Sequence, residues 1–357
     1  CAFLGIKKED VSAPVPFIRV LGFNENGAKI LKKAKETATL PITKRIIKDL
    51  DGVYYPESFV VPFIDIVHDR SNIEVFRGCI RGCRFCQAGM VYRPYREKTP
   101  DVIDACAKEC FENTGYSEMS LSCLSVSDYT RLPELIDKLL LWTDEKKVSL
   151  SLPSQRIDAF YEELMEKVMS VRKSGMTFAP EAGTQRLRDV INKNVLEDDL
   201  MRAVNVAFDA GKTQVKLYFM QGLPTETYED LEGIPALAKK VIEAFYANPN
   251  RNRAKSPQVT FSVSPFIPKP FTPFQWEPQD TLDVIKEKQE FVGKCVTDRK
   301  IKYQHHDPET CCIEAVLARG DRRLAPALEL ACREGFKFDA WSEFFDYNKW
   351  ISVFERS

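Results

Sequence analysis

Cys79-Ile80-Arg81-Gly82-Cys83-Arg84-Phe85-Cys86 places three thiols on one glycine-containing loop, with three and then two residues between them. A loop of that length can wrap three thiolates around three corners of a [4Fe–4S] cube. Most electron-carrying clusters are closed by four cysteines, so three leave one iron open for another ligand. A structural zinc site is the first alternative, but such sites usually show two Cys- or His-bearing halves with a spacer. The nearest further donors, His68, Cys106 and Cys110, fall at no zinc-ribbon spacing. Inert buried thiols are the second alternative, since free cysteine packs as a small hydrophobe. Arg81, Gly82 and Arg84 make a poor core sequence for that role.

Outward from the loop, short β-branched or apolar runs alternate with helical patterns. Strands are predicted at 73–77, 118–123, 148–152, 176–179, 214–219 and 259–264, and helices at about 100–114, 132–146, 157–171, 184–209, 227–247 and 280–297. Thr99 and Pro100 open the first helix and Gly115 follows its end. Strand followed by helix, repeated, reads as parallel βα units with right-handed crossovers, in a doubly wound sheet or an incomplete barrel. The cysteine loop directly follows the first strand, and barrels carry their chemistry at strand C-terminal ends. The barrel is therefore preferred.

Composition bounds the class. The chain has 357 residues, 44% hydrophobic and 29% charged, enough for one large domain and a smaller appendage. Eleven cysteines with no secretory pattern at the front read as reduced thiols of a cytoplasmic protein. No apolar run reaches the roughly 18 residues of a membrane span. A formal net charge of −1 gives no global drive toward nucleic acid. Locally, Arg70, Arg77, Arg81, Arg84, Arg93, Arg96 and Lys98 crowd the cysteine loop, partly cancelled by Asp69, Glu74 and Glu97.

The three-cysteine loop, with an aromatic residue before its last cysteine, resembles that of the radical S-adenosylmethionine (SAM) enzymes. The resemblance implies a (βα)6 partial TIM barrel of the α/β class with a small helical C-terminal extension. It implies that Cys79, Cys83 and Cys86 hold a [4Fe–4S] cluster, with Phe85 beside them, and that SAM chelates the open iron. An external one-electron reductant such as flavodoxin or ferredoxin would drive cleavage of SAM to a 5′-deoxyadenosyl radical, which abstracts hydrogen from an unknown substrate. Gly222-Leu223-Pro224-Thr225-Glu226-Thr227, leaving the fifth strand, looks like the family's adenine-contacting motif, with Gly222 and Leu223 the contacts; alone it reads as a helix start.

Glu181-Ala182-Gly183, followed by Asn192-Lys193, is similar to a Glu-Ser-Gly turn and Asn-Lys pair that related enzymes set against ribose and methionine; Glu181 and Arg186 are the candidates there. This chain lacks the serine. After the second strand, where the family carries a Gly-Gly-Glu-like edge for the SAM amino group, stands Ser120-Leu121-Ser122-Cys123-Leu124-Ser125, so Ser122 or Ser125 would accept from it. Arg156 and Asp158 either line the same mouth or cap a helix. The competing class is a non-catalytic iron–sulfur or zinc-binding interaction module, associated with RNA.

Residues 46–357, through segments such as Pro268-Lys269-Pro270-Phe271-Thr272-Pro273-Phe274-Gln275-Trp276, resemble an uncharacterised bacterial group described as cobalamin-binding-type radical SAM proteins. Residues 46–300 are expected to form the core and 301–357 a helical extension, cut short against that group. His305-His306-Asp307 and Cys311-Cys312 in the tail read as metal ligands or, preferably, as part of a capping helical subdomain. Residues 1–45 resemble a C-terminal piece of tRNA(Met) cytidine acetate ligase and read as a foreign or fused extension, or as a helical lead-in with an Asn26-Gly27 turn. The remaining cysteines form no second closely spaced set, so one cluster is expected; residues 1–72 are too few, and lack the strand–helix alternation, for the domain of roughly a hundred residues that holds a corrin, so no tightly held cobalamin is expected.

Overall fold

The computed structural model describes residues 18–23 and 29–33 as backbone, and residues 44–56, 59–152, 156–159 and 176–357. Contacts divide the chain into two units, 49–319 and a second made of 1–48 with 320–357. In the second, Ile18–Phe23 (β1) and Lys29–Lys33 (β2) pair antiparallel, Ile18 opposite Lys33, where a helical lead-in was one expectation.

The first unit carries the barrel elements. Its opening strand, Ser71–Glu74 (β3), leads into Phe76–Arg77 (β4), the cysteine loop and the short helix Ala88–Val91 (α1). Arg96–Glu97 (β5) pairs antiparallel with β4 and clasps the loop's two ends. Pro100–Thr114 (α2), Glu118–Ser122 (β6), Leu132–Lys146 (α3) and Ser149–Ser151 (β7) follow. Then come Met176–Glu181 (β8), Gln185–Val190 (α4), Glu197–Asp209 (α5), Gln214–Gln221 (β9), Tyr228–Ala247 (α6), Gln258–Pro265 (β10), Leu282–Cys295 (α7), Ile301–His305 (β11) and Pro308–Arg319 (α8).

Strands β3-β6-β7 form one parallel sheet and β8-β9-β10-β11 another, each in sequence order. Parallel neighbours joined through helices define an α/β partial barrel. Each sheet has its own core. Ile73, Met119 and Leu121 pack with Ile103, Leu135, Ile136 and Leu139 of α2 and α3. Phe178, Leu217, Phe219, Phe261 and Val263 pack with Val204, Phe208, Val241 and Phe245 of α5 and α6. Fully burying such a side chain contributes about 1.5–3 kcal/mol, so these faces hold the helices against the strands.

Helix α2 begins at Pro100 after Thr99 and stops where Gly115 turns left-handed at φ 70°. The expected helix at 184–209 is two helices, because Asn192 and Asn194 both take positive φ, 54° and 53°. Asparagine tolerates that conformation, and the break turns Asn192 and Lys193 toward the cysteine loop. The helix expected at 157–171 lies outside the described residues beyond Ala159. The sheet also continues past the boundary expected at 300: β11 pairs parallel with β10, Val259 opposite Ile301. Only α8 and the pieces Ala325–Arg333 (α9) and Tyr347–Arg356 (α10) make the tail helical.

Candidate functional site

The cysteine loop is shaped before any cofactor enters. At Gly78, φ is 94° and a Cβ would stand 2.7 Å from Pro94 O and 2.9 Å from Tyr92 O, so the chain passes against its own return strand. All three cysteines are half-buried. The Arg81 N–H donates to Cys79 Sγ at 3.3 Å and the Gly89 N–H to Cys86 Sγ at 3.4 Å. Such N–H donors favour thiolate ligands and help set a cluster's potential. The segment after α4 holds the loop from outside. Asn192 Nδ2 donates to Gly82 O at 2.8 Å and the Arg84 N–H to Ile191 O at 2.9 Å. The Phe274 N–H donates to Arg84 O at 3.2 Å.

A charged network binds the loop to three strand ends. Arg81 makes an ion pair with Asp128, after β6, and another at 3.1 Å with Asp158, after β7. Asp158 also takes Arg156 at 2.8 Å, and Arg156 donates to Lys193 O at 2.8 Å. Lys193 Nζ reaches Glu181 at 2.9 Å. The hydrogen bond to Asp128 raises the Arg81 pKa. Burial pushes the Cys83 thiol up, while the Lys193 and Arg156 charges oppose it. Three half-buried thiols, two with N–H donors and one beside two cations, suit an anionic cluster. Among the described residues no three His, Cys, Asp or Glu side chains converge on a point suited to a single metal ion.

Phe85 and Leu223 meet in one apolar cluster with Ala182, Leu187, Ile191, Phe266 and Phe274. Beside it opens a cavity of about 240 Å³ lined by Phe85, Met220, Ser264, Phe266, His306 and Cys311. Glu181 ends β8 at φ 71°, at a register shift against β9, and its carboxylate faces Lys193. Strained backbone of that kind gathers at functional sites.

Arg186 has its partners in and just after the Gly222 turn. It donates to Thr225 O at 2.9 Å and to the carboxylate of Asp230, which is only 2% exposed. Ser122 is exposed, and its carbonyl accepts the Val75 N–H at 3.1 Å. Ser125 is buried, and its hydroxyl has no hydrogen-bond partner among the described residues. Gly222 has φ 77°, and a Cβ there would stand 2.7 Å from Asp280 Oδ2, so its glycine answers to this chain's own carboxylate.

Sequence reading missed Asp128 as an anchor for Arg81, and treated Arg81 as one of a crowd. That crowd is largely committed. Arg70 pairs with Glu118, Arg77 with Glu74, and Lys98 is buried over the Tyr55 ring, 3.9 Å from Glu74.

Residues 73–238 match the Radical SAM superfamily, a stretch that contains the cysteine loop and the strand ends just described. Over that stretch the chain is similar to the radical SAM domain, the domain of a superfamily of enzymes whose cofactors are a [4Fe–4S] cluster and SAM. An uncharacterized protein of Methanocaldococcus jannaschii is 35% identical over 302 residues, 79% of this chain and 64% of that protein. A second Methanocaldococcus jannaschii protein, described as a methylthiotransferase, is 26% identical over 168 residues, 44% of this chain and 36% of its own length. The chain thus spans less than two thirds of either relative. Among solved structures, the radical SAM methyltransferase TsrM from Kitasatospora setae superposes with a TM-score of 0.44 at 14% identity, over 58% of this chain and 38% of that one.

Proposed function

We propose that this protein is a radical SAM enzyme that cleaves SAM reductively and abstracts hydrogen from a substrate yet to be identified. The observation that carries the reading is the cysteine loop with its supports: three half-buried thiols, two N–H···S hydrogen bonds, and contacts to the ends of three other strands. Cys79, Cys83 and Cys86 would hold the cluster. When bound, cluster and SAM together supply a 5′-deoxyadenosyl radical. The chain's own part is to bind, orient and exclude water. Phe85, Gly222 and Leu223 would frame the adenosyl end, Glu181 the ribose and methionine side, and Ser122 or Ser125 the amino group. Arg186 would act through the Thr225 turn rather than by contact, given its partners.

Radical SAM enzymes need an external reductant, and we assign that role to a flavodoxin or ferredoxin. Among the described residues no helix is long and apolar enough to cross a membrane. Anaerobic reconstitution should give about four irons per chain, the stoichiometry of a single [4Fe–4S] cluster. With dithionite the loaded protein should convert SAM slowly to 5′-deoxyadenosine and methionine. Alanine at Cys79, Cys83 or Cys86 should abolish both. A normal cluster in all three variants would sink the ligand assignment, and equimolar zinc without iron would replace it by a structural site. About eight irons per chain, or stoichiometric cobalamin, would change the reaction class.

A further inference from the structure

The turn Gly222-Leu223-Pro224-Thr225-Glu226 closes on itself through the Glu226 N–H to Leu223 O at 3.0 Å, and is also tied to a distant helix. Gly222 and Thr225 are both left-handed, at φ 77° and 66°. The Gly222 N–H donates to Glu226 Oε1 at 2.8 Å. That same oxygen accepts Lys288 Nζ at 2.9 Å, from α7 far along the chain. Lys288 also donates to Asp280 Oδ2 at 2.7 Å, the atom that fills the space where residue 222 would carry a Cβ. Both acceptors of one ammonium group therefore touch one residue, Glu226 through its N–H and Asp280 over its Cα.

A plain structural role would be to dock α7 on the sheet. The placement argues for more. The Glu226 side chain is 2% exposed and that of Lys288 14%, so the pair is screened from solvent, and its geometry is transmitted rather than averaged. Glu226 Oε2 and Gln221 Oε1, on either side of the turn, are buried without hydrogen-bond partners among the described residues. Burial pushes the Glu226 carboxyl up and Lys288 opposes it. Without the ammonium, Glu226 would take up a proton or shift, and the Gly222 N–H would follow it.

We infer that Lys288 is a positioning residue, which fixes Gly222 through Glu226 and Asp280 in the orientation that receives the adenosyl end of SAM. The inference rests on the SAM reading of this turn given above. Its test uses the full chain, anaerobically reconstituted, with SAM itself as the probe. Equilibrium dialysis gives Kd, and 5′-deoxyadenosine formation gives KM and kcat. Lys288→Met should keep the parent's iron content and raise Kd and KM about tenfold, with kcat changed by less than about threefold, the pattern of lost ground-state binding. Lys288→Arg should restore most of the affinity.

Asp280→Asn, at a more exposed position, breaks only one arm and guards against a Lys288→Met that fails to fold. It should raise KM in the same direction, by about threefold. Parent-like SAM affinity in Asp280→Asn together with either an iron-loaded, parent-like Lys288→Met or a Lys288→Met that does not fold overturns this inference alone. So does a fall in kcat at constant KM. A parent that loads its iron and binds no SAM overturns the reading of the turn and this inference with it.

Discussion

The cysteine loop and the Gly222 turn both leave the C-terminal ends of strands, but they are held by opposite means. The loop is gripped from outside: its backbone carbonyls and N–H groups meet Asn192, Ile191 and Phe274, and one guanidinium, Arg81, ties it to Asp128 and Asp158. The turn is gripped from beneath, by the buried Glu226–Lys288 pair, and α6, the helix that leaves it, packs backbone to backbone against Gly183. A loop that must admit iron and sulfide keeps its ligands half-exposed and distributes its restraints over three strand ends. A turn that only has to present backbone can be sunk into the core. The first region should therefore lose iron before stability, whereas backbone crowding where α6 leaves the second should show first in stability.

The largest stability effect should come from the turn side. Gly183 follows Glu181-Ala182, and a Cβ on it would lie 2.4 Å from Asp230 O, 2.5 Å from Ile234 N and 2.6 Å from Gly233 C. Every one of these atoms is backbone of α6, which cannot swing aside as a side chain would. Gly183→Ala should therefore push the helix off the strand end and cost about 3 kcal/mol, the upper end of overpacking penalties. The check is the urea midpoint of the apoprotein. A change below about 0.5 kcal/mol would show that helix and turn give way together, and the contrast between the two regions would fail.

Arg81→Met probes the other side. It leaves Asp128, whose side chain is only 3% exposed, without its main charge partner. Removing one member of a fully buried pair costs about 3–5 kcal/mol. Arg81 is 26% exposed and water can replace part of its role, so about 2 kcal/mol is expected here. The loop should suffer more than the fold: iron retained after desalting should fall well below the parent's while the far-ultraviolet circular dichroism is unchanged. Asp128→Asn, which leaves no unpaired buried carboxylate, should recover stability without recovering iron. Full iron retention in both would mean that the backbone contacts alone shape the loop.

How much of this was legible in the sequence follows the same division. The cysteine loop could be read because its chemistry lies in adjacent residues, and the strands could be read because parallel βα units repeat their apolar pattern. The supports were harder. Lys288 and Asp280 stand about sixty residues from the glycine they hold, and nothing local marks them. Arg186 was read as a SAM contact from its place after Glu-Ala-Gly, while its partners Thr225 and Asp230, about forty residues on, carry no local mark. The break inside 184–209 was missed because apolar periodicity runs through it, while the two asparagines that permit left-handed backbone give only a weak signal. β11 was missed because five residues with alternating burial are too short a run to outweigh the helical pattern that follows.

The smallest effect concerns the thiols that no cluster would use, and it tests whether the cavity beside the cysteine loop is as dry as the first sheet's core. Burial pushes the Cys110 thiol, in the first sheet's core, up to about 11, and Cys123 beside that core up to about 12. Cys311, at the cavity next to Phe85, is also pushed up to about 12 by burial. A folded-state pKa above the unfolded one favours the protonated form. The thiols' contribution is therefore complete below the ordinary thiol value and is lost as pH rises through 11 to 12. The urea midpoint should accordingly change little between pH 7 and 8.5 and fall progressively above pH 9.5, by about 1 kcal/mol at first. In the cluster-loaded protein at pH 8, iodoacetamide should label exposed Cys332 first and leave Cys110, Cys123 and Cys311 last. Rapid labelling of Cys311 with Cys110 protected would mean that the cavity beside the cysteine loop opens to solvent while the first core stays closed.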